Sequence, residues 1–110
     1  MVVPDAGDFI WISMSPQAGH EQAGRRPALV LSPKNYNERA GLLLAAPVTT
    51  KAKGYPFEVP ITGGGDIRGV ILADQIRSLD WRARRTEMAG TASPPVLKAV
   101  RDKLGLLLQL

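Results

Sequence analysis

Short apolar segments with strand character follow one another through the first 92 residues, and glycine, proline or polar residues separate them. This succession predicts antiparallel strands joined by turns and loops. It constrains the chain to a small, strongly bent sheet or barrel. The predicted strands span residues 8–13, 26–32, 42–49, 57–61, 69–75 and 84–92.

Two of these segments have a predictable place in the sheet. Segment 42–49 is apolar on both faces, which predicts a central strand. Pro60 lacks a backbone N–H and restricts the fourth segment to an edge. Between the second and third segments, residues 33–40 favour a short helical turn that Gly41 closes.

The hydrophobic period becomes helical after Ser93. Ser93 is a candidate N-cap, and Pro94 suits the first helical position because its missing N–H is not needed there. One apolar stripe follows, made of Val96, Leu97, Val100, Leu104, Leu107 and Leu108. Residues 104–110 are apolar nearly all round, which is typical of a helix buried in its own core or against a second subunit. The predicted fold is mainly β with short helices, a small antiparallel barrel followed by a C-terminal helix.

The 110 residues predict a single domain, residues 1–110. There is no cysteine, which excludes disulfides, thiolate metal sites and thiol nucleophiles and fits a reducing cytosol. The first residues lack the pattern of a signal peptide, and no apolar run approaches the length of a membrane span. We therefore expect a cytoplasmic protein that is not bound to a membrane.

The chain is basic, with 14 Lys and Arg against 10 Asp and Glu and a net charge of +4. A small basic domain favours a polyanionic partner. The positive charge is densest between residues 77 and 85, at Arg77, Arg82, Arg84 and Arg85. Such a cluster fits a nucleic-acid surface and a solvated turn about equally well.

Several familiar sites are excluded. The single histidine, His20, excludes a ribonuclease mechanism with two histidines and the metalloprotease helix motif. The glycines at 63–65 lack the Lys-Ser/Thr that follows in a P-loop, and they favour a hairpin turn. The carboxylates are scattered singly, which argues against a two-metal site.

Polar groups remain at the ends of predicted strands. Glu21, Arg25 and Arg26 lie in a polar loop that runs into the second strand. A guanidinium held at the root of a strand can be aimed at a ligand, and it binds phosphate oxygens in a bidentate way. Thr49 and Thr50 close the third strand, where capping of a turn is the simpler role.

The remaining candidates have simple structural explanations. Asp74 interrupts the apolar fifth segment, where a carboxylate hydrogen-bonded to a turn is the simpler role. His20 is expected to be an exposed loop residue. Trp11, Tyr55 and Phe57 are predicted in the core rather than at a ligand.

Four groups of residues stand in a fixed order along the chain. They are GDFIW at 7–11, EQAGRRPALVLSP at 21–33, PVTTKAKGYPFEV at 47–59, and LADQIRS at 72–78 with WRAR at 81–84. Together they resemble the MazF/PemK family of bacterial toxins, which includes Kid and ChpB. The likeness runs from about residue 4 to the C-terminus, and four spaced motifs in one domain are a highly specific signal.

The resemblance implies a fold, an activity and partners. The fold would be an SH3-like barrel of the CcdB/Kid/MazF type, in a homodimer. The activity would be that of a toxin endoribonuclease that cuts single-stranded mRNA at short sequences without the ribosome, a metal or a cofactor. The products would carry 2′,3′-cyclic phosphate and 5′-hydroxyl ends, and cleavage would stop translation and growth. A MazE-like antitoxin would neutralise the toxin and supply its only link to operator DNA.

Carried over position by position, the resemblance places the family's catalytic arginine on Arg26, the threonine of its P-x-T-T motif on Thr49 and the glutamate of E-Q-A-G on Glu21. The carboxylate of its D-Q motif, catalytic in the Kid branch, falls on Asp74. The arginine two positions earlier in that branch is Leu72 here. This departure weakens the case for Asp74 as the base.

The implied chemistry suits these residues. Arg26 and the Thr49 hydroxyl can stabilise charge on the phosphorane oxygens, and Glu21 is the candidate base for the ribose 2′-hydroxyl. His20 is the candidate acid for the 5′-oxygen, because histidine exchanges protons near neutral pH and arginine does not. RNA contacts are expected from Arg25, where relatives vary, and from Thr50, Lys51, Lys53, Gln75, Arg77, Arg82 and Arg84.

Two other classes of protein share this fold. One is a catalytically silent barrel that binds an antitoxin or helps it to bind operator DNA. The combination of Glu21, Arg26, Thr49 and Asp74 argues against it, because a binding module does not need all four. The other is a gyrase-poisoning toxin of the CcdB type, which lacks the E-Q-A-G-x-R-P and P-x-T-T segments.

Overall fold

Strands dominate the part of the chain that the structure describes. The structure is a computed structural model, and it describes residues 2–15, 19, 21–63 and 65–110. Its strands are β1 (Asp8–Ser13), β2 (Arg25–Val30), β3 (Leu42–Thr49), β4 (Glu58–Pro60), β5 (Val70–Leu72), β6 (Arg77–Asp80) and β7 (Glu87–Thr91). The helices are α1 (Lys34–Ala40) and α2 (Pro94–Leu108), with a 3₁₀ turn over Ala73–Gln75. Within the described ranges, no helix is long and apolar enough to span a membrane.

β3 is the centre of an open antiparallel sheet. It pairs with β2 on one side and with β6 and then β5 on the other. The strand order is β4-β5-β3-β2-β1-β7, with β6 beside β3 off this path. The central place predicted for segment 42–49 and the edge place predicted for the strand that contains Pro60 are therefore both confirmed, as is the mainly β class with a C-terminal helix.

Three strand predictions were wrong in detail. The strand β6 was not predicted, because Leu79 is its one buried residue and its sequence contains no apolar run. The predicted fifth strand ends early, at Leu72, where the chain enters the 3₁₀ turn. The predicted sixth strand begins late, at Glu87, because residues 81–85 form a turn.

Side chains alternate between two cores on opposite faces of the sheet. In β1, Phe9 enters the core beneath α2, and Ile10 and Ile12 enter the other core. Trp81 closes the second core, and its indole N–H donates to the carbonyl of Asn37 at 2.9 Å. The buried face of α2 completes the first core with Val96, Val100 and Leu104. Each large side chain buried in this way contributes about 1.5–3 kcal/mol.

α2 begins at Pro94 as predicted, but the Ser93 hydroxyl does not cap it. The Ser93 Oγ instead donates to the carbonyl of Thr62 at 3.3 Å. The apolar stripe is buried in the chain's own core as far as Leu104. Beyond that point the leucines are between 45% and 95% exposed: Leu106, Leu107, Leu108 and Leu110.

Gly69 allows the segment before β5 to pass against the end of β3. Its φ is +114°, and a Cβ placed on it would lie 2.2 Å from the carbonyl oxygen of Thr49. The Gly69 carbonyl accepts the N–H of Ile61 at 3.0 Å. Glycine is required here both for the dihedral angle and for the close approach. The close approach of Gly69 restricts the backbone of Thr49, the last residue of β3.

We predict that Gly69→Ala lowers the free energy of unfolding by about 3 kcal/mol or more, because backbone must move as well as adopt a strained dihedral angle. The control is Gly63→Ala, where φ is +70° but, among the described residues other than its chain neighbours, no atom lies within 4 Å of the new Cβ. That change should cost about 1–2 kcal/mol. Urea unfolding measures both values, and equal losses would contradict the close approach.

Candidate active site

Strand pairing brings Arg26 to the end of β3. The β2–β3 register, continued two residues beyond its last pair, sets Arg26 beside Thr49. The guanidinium is half-buried, its Nε donates to the carbonyl of Ala23 at 2.9 Å, and its Nη1 donates to that of Val48 at 3.3 Å. Two bonds from one planar group fix its orientation, and the remaining N–H groups can donate to a ligand.

The Thr49 side chain is 8% exposed and caps the turn that follows β3. Its Oγ1 accepts the backbone N–H of Lys51 at 3.1 Å. A hydroxyl can accept two hydrogen bonds and donate one. Because the cap uses a lone pair, the Thr49 O–H remains a donor that the turn holds in place.

Arg26 and Thr49 line one cavity of about 280 Å³, which we call the arginine–threonine cavity. Two guanidiniums and one ammonium lie around it, so its electrostatic potential favours an anion. The indole of Trp11, 39% exposed, forms part of the wall. The full lining is Trp11, Gln22, Arg25, Arg26, Pro27, Thr49, Thr50 and Lys51.

A second cavity of about 320 Å³, the tyrosine cavity, adjoins the first. The two share three lining residues, Gln22, Thr49 and Lys51, so they form one groove. Tyr55 is 61% exposed and lines this groove. The remaining lining residues are Lys53, Glu58, Leu72 and Gln75.

Glu58 organises the loop that borders the tyrosine cavity. Its carboxylate accepts the backbone N–H groups of Lys53 and Gly54, both at 3.0 Å. The Lys53 ammonium lies 5.9 Å from the centre of the Tyr55 ring, within the range of a cation–π contact. One half-buried carboxylate therefore holds the backbone that presents a lysine and an aromatic ring.

Glu21 and Asp74 face a different, smaller cavity. This carboxylate cavity has a volume of about 150 Å³ and is also lined by Gln75, Ile76 and Arg77. Both carboxylate residues are exposed, and Asp74 lies in the 3₁₀ turn rather than inside an apolar strand as predicted. Two glutamines connect this cavity to the groove, because the Gln22 N–H donates to Gln75 Oε1 at 3.1 Å. His20, the candidate acid, lies outside the described residues.

Three arginines of the basic cluster bind backbone carbonyls of the protein itself. Arg77 Nη1 donates to the Met14 carbonyl at 2.6 Å, and Arg84 Nη1 donates to the Ser13 carbonyl at 3.1 Å. Arg82 Nη2 donates to the carbonyl of Glu38 at 2.9 Å.

Arg82 and Arg25 make further contacts with side chains. The Arg82 guanidinium lies 4.8 Å from the centre of the Trp81 ring and borders a separate cavity of about 500 Å³. Arg25 forms an ion pair with Glu87 at 2.8 Å and also donates to the Arg85 carbonyl.

The core positions predicted for two aromatic residues were wrong. Trp11 lies between the buried Ile10 and Ile12 in β1, so the alternation of the strand turns it outward. Tyr55 lies in the loop before β4, where the neighbouring Gly54 is a signal for an exposed turn. Gln22 was not predicted at all, because its importance comes from a contact with a residue 53 positions away.

Solved structures define the class of this fold. The chain is 57% identical to MazF from Deinococcus radiodurans, with a TM-score of 0.96 and complete coverage of both chains (100% and 100%). It matches a chain in a MazE–MazF structure from the same organism at 57% identity and a TM-score of 0.89, covering 100% and 99% of the two chains. The fold is therefore that of the CcdB/MazF type.

Sequence comparison gives the family. Residues 5–108 match the family described as PemK-like, MazF-like toxin of type II toxin-antitoxin system, and the chain belongs to it. The endoribonuclease toxin MazF of Escherichia coli K12 is 49% identical over 106 residues, which cover 96% of this chain and 95% of that protein. The endoribonuclease toxin ChpB of the same strain is 38% identical over 99 residues, covering 86% and 84%.

We predict that Glu58→Ala releases the loop bordering the tyrosine cavity. Hydrogen exchange at the amides of Lys53 and Gly54 should accelerate by about tenfold or more, because each loses a charged acceptor. Glu38→Ala, an exposed change on α1, is the control and should leave both rates unaltered. Unchanged exchange at both amides in Glu58→Ala would show that the carboxylate does not hold the loop.

Proposed function

We propose that this chain is the toxin of a type II toxin–antitoxin system and a sequence-specific endoribonuclease. It cuts single-stranded mRNA without the ribosome or a metal, leaves 2′,3′-cyclic phosphate and 5′-hydroxyl ends, and so inhibits translation and growth. The observation that carries the proposal is the meeting of Arg26 and Thr49 at one cationic cavity. Relatives that are named endoribonuclease, and that align with this chain over most of their length, support it.

In this mechanism the scissile phosphate binds in the arginine–threonine cavity. The ribose 2′-oxygen attacks phosphorus, and negative charge grows on the non-bridging oxygens of the phosphorane. The remaining Arg26 N–H groups and the Thr49 O–H donate hydrogen bonds to those oxygens. Both donors are held by bonds to the backbone, so little reorganisation is needed as the charge develops.

The two proton transfers are assigned to Glu21 and His20, as the family resemblance and the chemistry of the two side chains favour. Glu21 takes the proton of the 2′-hydroxyl, and His20 delivers a proton to the leaving 5′-oxygen as the P–O bond breaks. Asp74 shares the carboxylate cavity with Glu21 and is the alternative base. The Gln22–Gln75 hydrogen bond supports this assignment, because it ties the chain next to Glu21 to the groove.

RNA on either side of the cut follows the groove. Lys51 and Lys53 neutralise backbone phosphates, and Thr50 and Gln75 supply hydrogen bonds. The exposed rings of Trp11 and Tyr55 offer surfaces on which bases stack, a contact worth about 1–3 kcal/mol per base. Arg25 lines the arginine–threonine cavity and tunes substrate choice, and Arg77 lines the carboxylate cavity.

Two protein partners belong to the proposal. A MazE-like antitoxin neutralises the toxin in the cytoplasm and provides its indirect link to operator DNA. The MazE–MazF structures from Deinococcus radiodurans support an antitoxin as partner. A second copy of the chain forms a homodimer. The exposed leucines at the end of α2 support the dimer, because they form an apolar surface that one copy leaves uncovered.

For the dimer we predict that Leu107→Ser combined with Leu108→Ser weakens self-association by about tenfold or more, since each leucine loses burial worth about 1–2 kcal/mol. Folding should change little, because these side chains are 45% and 58% exposed in one copy. Sedimentation equilibrium measures the effect, with Val2→Ser as the exposed apolar control. Unweakened association would place the dimer contact elsewhere.

For cleavage we predict that Arg26→Ala folds normally and loses activity by at least about 100-fold, the scale for removing one such donor. The assay uses a long single-stranded RNA in EDTA, with mapping of cut sites and end groups. Arg101→Ala, an exposed change on α2, should cleave at the wild-type rate.

Two results would count against this assignment. Near-normal cleavage by Arg26→Ala would remove Arg26 from the mechanism. RNA left intact by folded wild-type protein that is free of antitoxin would favour the catalytically silent barrel.

A further inference from the structure

Two arginines from the basic cluster form hydrogen bonds with the backbone at the end of β1. Arg84 Nη1 donates to the carbonyls of Ser13 and Ser15, and Arg77 Nη1 donates to the carbonyl of Met14, which lies between them. Three consecutive carbonyls therefore point their oxygens at two guanidiniums. Charged donors form stronger hydrogen bonds to carbonyl oxygens than neutral donors do, so these bonds hold the backbone of residues 13–15 in place.

The same three residues also hold the far end of the loop that follows β1. The Met14 N–H donates to the Gly24 carbonyl at 2.8 Å, and the Ser15 Oγ accepts the Gly24 N–H at 3.4 Å. The Ser13 N–H donates to the Arg84 carbonyl at 3.2 Å, and the Met14 side chain is fully buried. Segment 13–15 thus joins the start of the loop, its end and the turn that contains Arg84.

The loop that is held in this way leads directly to the candidate active site. Gly24 precedes Arg25 and Arg26, and the Ala23 carbonyl accepts the Arg26 Nε–H. A shift of segment 13–15 would move the Gly24 backbone and with it the acceptor that orients the Arg26 guanidinium. Displacements of about 1 Å at such groups can cost about 100-fold in rate.

We propose that Arg84 is a positioning residue for the loop and not an RNA-phosphate contact. Both bonds come from one nitrogen, Nη1, which lies one bond farther from the backbone than the ammonium nitrogen of a lysine, so we expect a lysine at this position not to reach both carbonyls. Arg77 and Arg84 of this cluster therefore hold the start of the loop that leads to Arg26. We call the hydrogen bonds of Arg84 to Ser13 and Ser15 the clamp. Its effect on rate rests on the proposed ribonuclease function, whereas the clamp itself is testable without RNA.

The first test measures hydrogen exchange in Arg84→Lys, which keeps the charge and removes the bridge. We expect exchange at the amides of Met14 and Gly24, whose hydrogen bonds join the two ends of the loop, to accelerate by about tenfold or more. The Leu31 amide, bonded to the Leu44 carbonyl within the sheet, should be unaffected. Wild-type exchange at the two loop amides would overturn the clamp.

The second test separates positioning from phosphate binding. We expect kcat of Arg84→Lys to fall about 10- to 100-fold with KM within about twofold of wild type. For an RNA with a 2′-deoxyribose at the cut site, Arg84→Gln should bind with unchanged Kd and unchanged salt dependence. The exposed Arg101→Lys and Arg101→Gln are the charge-matched controls.

A phosphate contact gives the opposite result. Arg84→Gln would then weaken binding and reduce the salt slope by about 1, and Arg84→Lys would restore both, which would overturn the proposal. If wild-type protein left RNA intact, the proposed function would fail, and the exchange result alone would decide for or against the clamp. Thermal unfolding identifies the folded variants, and Arg84→Gln replaces Arg84→Lys in the exchange test if the latter does not fold.

Discussion

The pairing of β3 with three other strands is the constraint on which the rest of the structure depends. Pairing with β2 sets Arg26 beside the end of β3. The neighbouring β5 is reached through Gly69, whose missing side chain lets the backbone press against Thr49. Strand pairing therefore brings the Arg26 guanidinium and the Thr49 hydroxyl, 23 positions apart in the chain, to one cavity.

Arginine has two uses in this molecule. At the groove, part of the Arg26 guanidinium binds backbone carbonyls and the rest can donate to a ligand. In the basic cluster, Arg77, Arg82 and Arg84 bind carbonyls of distant segments and fasten loops and α1 to one another. A charge count cannot separate these uses, because both need a planar cation with several donors. Part of the excess positive charge therefore belongs to arginines that hold the fold together.

Much of the architecture could be predicted from local patterns. The continuous apolar run of β3 gave its central place, Pro60 gave the edge, and the change of period at Ser93 gave α2. The strand β6 escaped prediction, because backbone pairing with β3 defines it rather than an apolar pattern. The outward position of Trp11 could have been read from the alternation in β1.

The candidate site was less accessible to sequence reasoning. Motif resemblance supplied Arg26 and Thr49, and the structure brings both to one cavity. It could not give the separation of Glu21 into a neighbouring cavity, or the roles of Gln22 and Glu58, which depend on long-range hydrogen bonds and loop geometry. In the proposed mechanism, Arg26 and Thr49 act as one unit on the phosphorane. A double-mutant cycle of single-turnover RNA cleavage with Arg26→Ala and Thr49→Val tests it most directly. We expect the double variant to be about as slow as the slower single variant; rate losses that simply multiply would contradict a shared site of action.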